Sequence, residues 1–353
     1  MKNIILEAKD LDGYLSGPDK QIISEMDGKY AEALKLSADI PAGEAGRQNR
    51  ETERLIQLYN EMGQMMQDIT HREEAIHVYS FETPQSIHGE VSRLIAKLRD
   101  VRTENPEFVY YIQRAYELLF NMTFCNLERQ KKNYIIVSTP VNIPVQNYAV
   151  HKIPSIDDRI SNSVMCVMLR AALLPSMIFS KEIQEYSSNN YVTPFALFRI
   201  KRDDSKEEHN MSYVLDLKKS YFDLALLDGK DLFFADPMNA TGGSLVTIIK
   251  YLLDRGVRPK SVKFFNVISV LKGSLRIVRA IANAEIYTLW MDPALNTKAY
   301  ILPGLGDAGD RINGADRTEP SRNIIQLIAD YGTGIASLYR AQLRQIEETV
   351  LGR

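Results

Sequence analysis

With 353 residues, 45% apolar and 25% charged, the chain has the composition of a globular protein and the length for one large domain with appendages, or for two. Its formal net charge of −2 gives no basic field for nucleic acid, and no apolar run approaches the ~20 residues of a membrane span. Met1–Asp10 has too short an apolar reach for a signal peptide, and Cys125 and Cys166 stand apart like buried thiols of a reducing compartment, so a soluble cytoplasmic protein is expected.

Residues 1 to about 75 read as helical and polar. One helical patch covers Met26–Leu36, Pro41–Gly46 is a loop, and Leu55, Leu58, Tyr59, Met62, Met65, Met66 and Ile69 form an apolar stripe. Such a stripe is more often core or subunit interface than a cofactor site. A second helical block runs from Ser86 to about Leu127, with a turn at Glu104–Glu107. Tyr134–Val137 and Val141–Val145 then predict a two-strand ribbon, with Pro144 on its edge.

From Ser163 the pattern alternates. Val164–Leu169 is a strand ending at Arg170, followed by a helix from Ala171. Val192–Ile200 is a strand ending near Arg199, and Lys201–Glu208 is a mixed charge run that reads as a solvated loop or a flap over a substrate. Leu232–Ala235 is a short buried strand, and Leu245, Ile248, Ile249, Leu252 and Leu253 mark a helix stopped by Gly256. Val262–Leu271 is a strand, Ser274–Ala284 a helix and Ile286–Leu289 a strand. Tyr300–Arg311 has too many glycines and charges for a regular element and reads as a loop, and the tail from Pro320 reads as two amphipathic helices. The sum is an α/β protein: a mainly parallel sheet flanked by helices, with a helical N-terminal extension (1–80), a central domain (81–317) and a helical C-terminal tail (318–353).

The chemistry concentrates in Asp236-Pro237-Met238-Asn239-Ala240-Thr241-Gly242-Gly243-Ser244. A strand, a small-residue turn and a helix in that order aim backbone N–H groups and a helix N-terminus at one point, which suits phosphate. Asp236 stands at the strand's carboxyl end, where an open parallel sheet presents its ligand groups. A merely small and polar βα-loop is the plainer alternative. His71, His77, His88, His151 and His209 show no metal-ligand spacing, and neither GxGxxG nor GxxxxGK[ST] is present.

Two separated motifs carry a family resemblance. Asp236–Ser244 resembles the phosphoribosyl-diphosphate loop of uracil phosphoribosyltransferases, Asp-Pro-Met-Leu-Ala-Thr-Gly-Gly-Ser, and Tyr300–Arg311 resembles that family's uracil loop. Met168–Ala171 and Leu197–Arg199 are similar to its arginine-bearing segments, and Lys97–Arg99 with the helix from Pro106 is loosely similar to its N-terminal helical region. The resemblance spans roughly 85 to 315. It implies a phosphoribosyltransferase-like fold and a pentosyltransferase joining uracil to 5-phospho-α-ribosyl 1-diphosphate, giving UMP and diphosphate.

By that resemblance Asp236, Arg170 and Arg199 are the catalytic residues. Together with Pro237, Met238, Asn239, Ala240, Thr241, Gly242, Gly243, Ser244 and Asp307 they bind the ribosyl diphosphate, while Tyr300, Ile301, Gly306, Asp307 and Ala308 bind uracil. Backbone groups of Ile301, Gly306 and Ala308 are the expected readers of the base. Arg202 competes with Arg199 if the strand's register slips. Mg²⁺ is expected through the substrate's phosphates rather than a protein cage, and the family implies a homo-oligomer and a GTP effector.

Two positions depart from the family pattern. Asn239 replaces leucine, which predicts an amide beside the base or ribose. Ala172 replaces glycine, at a cost of about 1 kcal/mol or more if positive φ or a very close backbone approach is required there. These departures leave open a catalytically weak or regulatory nucleotide-binding protein, or a transferase for another base.

Overall fold

A computed structural model describes residues 3–38, 50–82, 85–125, 131–141, 148–314 and 340–352. Its strands, in chain order, are β1 (Ile4–Glu7), β2 (Ile76–Val78), β3 (Lys132–Ser138), β4 (Tyr148–Pro154), β5 (Ser163–Leu169), β6 (Phe195–Arg202), β7 (Ser212–Leu215), β8 (Asp231–Ala235), β9 (Met238–Asn239), β10 (Ser261–Val270), β11 (Ala284–Asp292), β12 (Ala294–Leu295) and β13 (Ile301–Leu302). Among the described residues, nine of them form one sheet in the order β1-β7-β6-β5-β8-β10-β11-β2, with β9 added beside β10.

From β6 to β2 the neighbours are parallel, and β7 and β1 close the other edge antiparallel. Strands buried on both faces need continuous apolar sequence, and β5 and β8 supply it with every residue buried. The helices Asn105–Phe120 and Leu173–Tyr186 form one layer; Gly243–Asp254 and Leu271–Ala280 form another against the edge strands, β10 and β11. Between the first layer and the sheet, Phe124, Phe179, Phe233 and Phe265 pack edge-to-face or tilted at ring-centroid distances of 4.3–6.4 Å. Such buried aromatic clusters fix the sheet–helix spacing and with it the loops at the sheet's carboxyl edge.

The expected fold class stands, and several local readings change. The N-terminal region contains the helices Gly17–Ala38 and Arg50–Thr70, as the periodicity predicts, but β1 pairs with β7 and β2 with β11, so this region also contributes to the main sheet. Both strands are too short to display a period. The ribbon exists, but the partner of β3 is β4, not Val141–Val145; residues 142–147 lie outside the described residues. β6 runs on through Arg202, so part of the charge run is strand. Tyr300–Arg311 is not all loop: it contains β13 and the start of the helix Ala308–Asn313, because Asp307 caps that helix by accepting the Asp310 N–H at 2.9 Å. The helix Arg340–Leu351 falls in the expected tail, most of which lies outside the described residues.

Candidate active site

The carboxyl ends of β5, β6 and β8 open into a cleft of about 380 Å³, within the size range of small-molecule sites. Asp236 follows β8 there. Its backbone N–H donates to the Phe265 carbonyl at 3.1 Å, its own carbonyl accepts from Asn266 Nδ2 at 2.9 Å, and its Oδ1 accepts the Met238 N–H at 3.1 Å. Burial pushes its carboxyl up to about 7; nearby Asp307 adds to the rise, while the Met238 N–H and Arg202 oppose it.

Beyond Asp236 the chain turns through Ala240 and Thr241 into the helix Gly243–Asp254. Gly242 caps that helix at φ +74°, and a Cβ there would lie 2.7 Å from the Gly273 carbonyl oxygen and 2.8 Å from Ile277. Only glycine fits that close, left-handed position. The first-turn amides of a helix have no partner within it, so this end presents donors and the positive end of the helix dipole.

Opposite stands the stretch after β12. A short buried ion pair between Arg99 and Asp292 anchors it, with Asp292 Oδ2 accepting the Gly304 N–H at 3.0 Å. Arg311 binds the Leu98 carbonyl, donates to the carbonyls of Leu305 (2.8 Å), Asp100 (3.1 Å) and Thr103 (3.0 Å), and lies 4.1 Å over the Phe108 ring. Leu98–Thr103 and the helix that starts at Asn105 therefore hold this loop in place. Arg202 links it to β6: its guanidinium donates to the Ala299 carbonyl at 3.1 Å and sits 5.3 Å over the Tyr300 ring.

The cleft brings together Arg170, Arg199, Asp236, Met238, Asn239, Ala240, Thr241, Gly242, Ser244, Tyr300, Ile301, Gly306 and Asp307. Pro237, Gly243 and Ala308 are buried and do not line it. Arg202 and Arg199 both line it, three residues apart on β6, so the register question ends with two arginines in the wall. Arg170 donates to the Gly314 carbonyl at 2.9 Å and pairs with Asp310 at 2.8 Å. Lys201 and Asp204 are cleft residues that the pattern reading left in a charge run.

Both departures from the family pattern read differently in three dimensions. The Asn239 side chain does not lie beside the ligand space. It is buried, donating to Ser269 Oγ at 2.8 Å and Ser274 Oγ at 3.3 Å, because β9 pairs with β10 and turns it toward the following helix. Ala172 has φ −77° and ψ −6° at the start of the helix Leu173–Tyr186, a conformation open to any residue, so alanine incurs no backbone strain.

A cleft built from a phosphate-type loop, three arginines and a glycine-bearing loop at the end of a parallel sheet is the arrangement expected of nucleotide- or sugar-phosphate-binding α/β proteins. Comparison with known proteins refines the class. A family model described as uracil phosphoribosyltransferase matches residues 86–315. The uracil phosphoribosyltransferase of Dictyoglomus thermophilum is 30% identical over 227 residues, 64% of this chain and 96% of that protein. That of Limosilactobacillus fermentum is 45% identical over 85 residues, 24% of this chain and 40% of that protein. A solved structure of a protein from Aquifex aeolicus, 23% identical, covers 65% of this chain and 96% of its own with a TM-score of 0.45. The chain belongs to the uracil phosphoribosyltransferase family, a family of pentosyltransferases. No described helix is long and apolar enough to cross a membrane.

Proposed function

We propose that the protein transfers the 5-phosphoribosyl group from its 1-diphosphate to uracil. The observation that carries this reading is the meeting of two loops, Asp236–Ser244 and Tyr300–Asp307, in one cleft with Arg170 and Arg199 in its wall. The 5-phosphate sits on the amides at the start of the helix Gly243–Asp254, with the Thr241 and Ser244 hydroxyls beside it. Asp236 accepts from the ribose hydroxyls and its charge favours the oxocarbenium-like ribose as the C1–O bond to diphosphate breaks and a bond from C1 to uracil forms. Guanidinium forks on Arg170 and Arg199 match the oxygens of the departing diphosphate. The uracil N–H proton leaves to solvent or to the diphosphate.

Among the described residues no three acidic, histidine or cysteine side chains gather as a metal cage. The acids present at the cleft, Asp204, Asp236 and Asp307, fit a hard cation held chiefly by substrate phosphates. Mg²⁺ bound that way supplies charge neutralisation to the diphosphate.

Backbone groups of Ile301 and Gly306 read the base edge. Gly306 has φ +78°, and the absence of a side chain there leaves the main chain open to a flat ring. Donors placed for the 4-oxo group of uracil meet a donor in the 4-amino group of cytosine, so cytosine is rejected. With Asn239 turned into the interior and Ala172 unstrained, neither departure supports a different base or a weakened site. The test is diphosphate release from phosphoribosyl diphosphate and Mg²⁺ with uracil, cytosine, hypoxanthine and orotate offered in turn. Release is expected with uracil alone; release with another base, or with none, overturns the reading.

A further inference from the structure

The helix Leu271–Ala280 stands directly behind the phosphate loop. A Cβ on Gly273 would come within 2.3 Å of the Ala240 carbonyl oxygen, Gly242 lies against Gly273 and Ile277, and Ser274 accepts from the Asn239 amide. Other positions on this helix bind the N-terminal region, which lies outside the family match. Arg279 pairs with Asp19 at 3.1 Å and with Glu73 at 2.6 Å. Arg276 is fully buried, and its Nε and Nη2 donate to Asp12 Oδ1 at 3.0 and 2.6 Å.

The remaining face of the Arg276 guanidinium is shared. Nη1 forms an ion pair with Glu208 at 2.9 Å and reaches the Thr241 carbonyl at 3.5 Å. Glu208 comes from the segment joining β6 to β7, the charged run read as a solvated loop or a flap, and its second oxygen pairs with Lys272 at 2.8 Å. One buried charge thus touches the N-terminal region, the β6–β7 connection and the phosphate loop.

This contact has a directional consequence. A trans peptide is planar, so a Thr241 carbonyl drawn toward Arg276 sends the Gly242 N–H the opposite way. Thr241 and Gly242 both line the cleft. A second support runs in parallel: β1 pairs with β7 through Leu6 and Tyr213, and the Tyr213 ring lies where a Cβ on Gly243 would be, 2.2 Å away.

We infer that Arg276 is a positioning residue for the ribosyl-phosphate site, held in its working pose by Asp12 of the N-terminal region and Glu208 of the β6–β7 connection. The inference rests on the proposed function. The N-terminal region is then a working part of the site, since it supplies the carboxylate that keeps a buried guanidinium aimed at the loop.

The test uses the full chain with Asp12→Ala and, separately, Glu208→Gln. Affinity for phosphoribosyl diphosphate is measured by calorimetry with Mg²⁺ present, alongside KM for each substrate, kcat and the melting temperature. Each variant is expected to bind phosphoribosyl diphosphate about tenfold more weakly, with KM for uracil within about twofold of wild type. A role in folding alone lowers the melting temperature and leaves the affinity of the folded fraction unchanged, and that result overturns the inference. If Asp12→Ala does not fold, Glu208→Gln gives the same readout without removing the Asp12 contact. Wild-type protein that binds no phosphoribosyl diphosphate contradicts the reading of the site itself, and the inference falls with it.

Discussion

The two loops facing each other across the cleft are held by different physics. Asp236–Ser244 is fixed by backbone packing: β8 and β10 are buried on its approach, β9 pairs beside β10, and Gly242 fits a space that no side chain can share. Tyr300–Arg311 is instead fixed by a few charged side chains, above all its own Arg311 on three carbonyls of the Leu98–Thr103 turn and Asp292 on the Gly304 amide. A loop of the first kind fails most when its shape changes, and loss of a single polar support such as that behind Arg276 weakens it less. One of the second kind keeps its shape options and loosens when a charge is removed.

The largest expected effect breaks the first loop. Gly242→Ala puts a Cβ against a backbone oxygen at a positive φ, a combined cost of about 3 kcal/mol. The loop must move, and phosphoribosyl-diphosphate affinity should fall about a hundredfold by calorimetry. Unchanged affinity would mean that the loop is not packed as described. Arg311→Ala acts on the other loop. Hydrogen bonds from a charged donor are worth about 1.5–3 kcal/mol, so KM for uracil should rise at least ~tenfold while phosphoribosyl-diphosphate affinity changes little. Equal losses for both substrates would show that the two loops do not act separately.

A smaller effect sharpens the contrast through pH. Burial holds Asp236 near 7 in the folded protein against an ordinary value of 3.8. Between those values the folded protein retains a proton that the unfolded chain has lost, so stability falls as pH rises from about 4 to 7 and levels off above. Asp236→Asn removes this contribution. Its stability relative to wild type should therefore climb across that window in denaturant titrations at several pH values, and a difference independent of pH would contradict the burial described here. The same variant should retain its fold and lose most turnover.

Much of the phosphate loop was legible because its signals are local: an apolar strand, small residues and a helical period follow one another within a short stretch. The parallel core was legible for the same reason. What escaped the sequence depends on distant partners or on elements too short to show a period. β1, β2 and β7 are three or four residues long, and each is a strand only because a neighbour completes its hydrogen bonds. Asn239 looked like a ligand contact because its sequence neighbours are, yet the alternation of a two-residue strand turns its side chain the other way. Asp307 capping a helix within an apparent loop rests on the Asp310 amide, which composition alone does not reveal. Arg276, more than 260 residues from Asp12, has no sequence signal at all.

The proposed function requires that the two loops hold opposite ends of one nucleotide. Its most direct test is to titrate the protein with UMP and follow assigned backbone amide resonances. Thr241–Ser244 and Gly304–Asp307 are expected to shift together, along one binding curve with a single affinity. Shifts in one loop without the other, or two curves with different affinities, would contradict it.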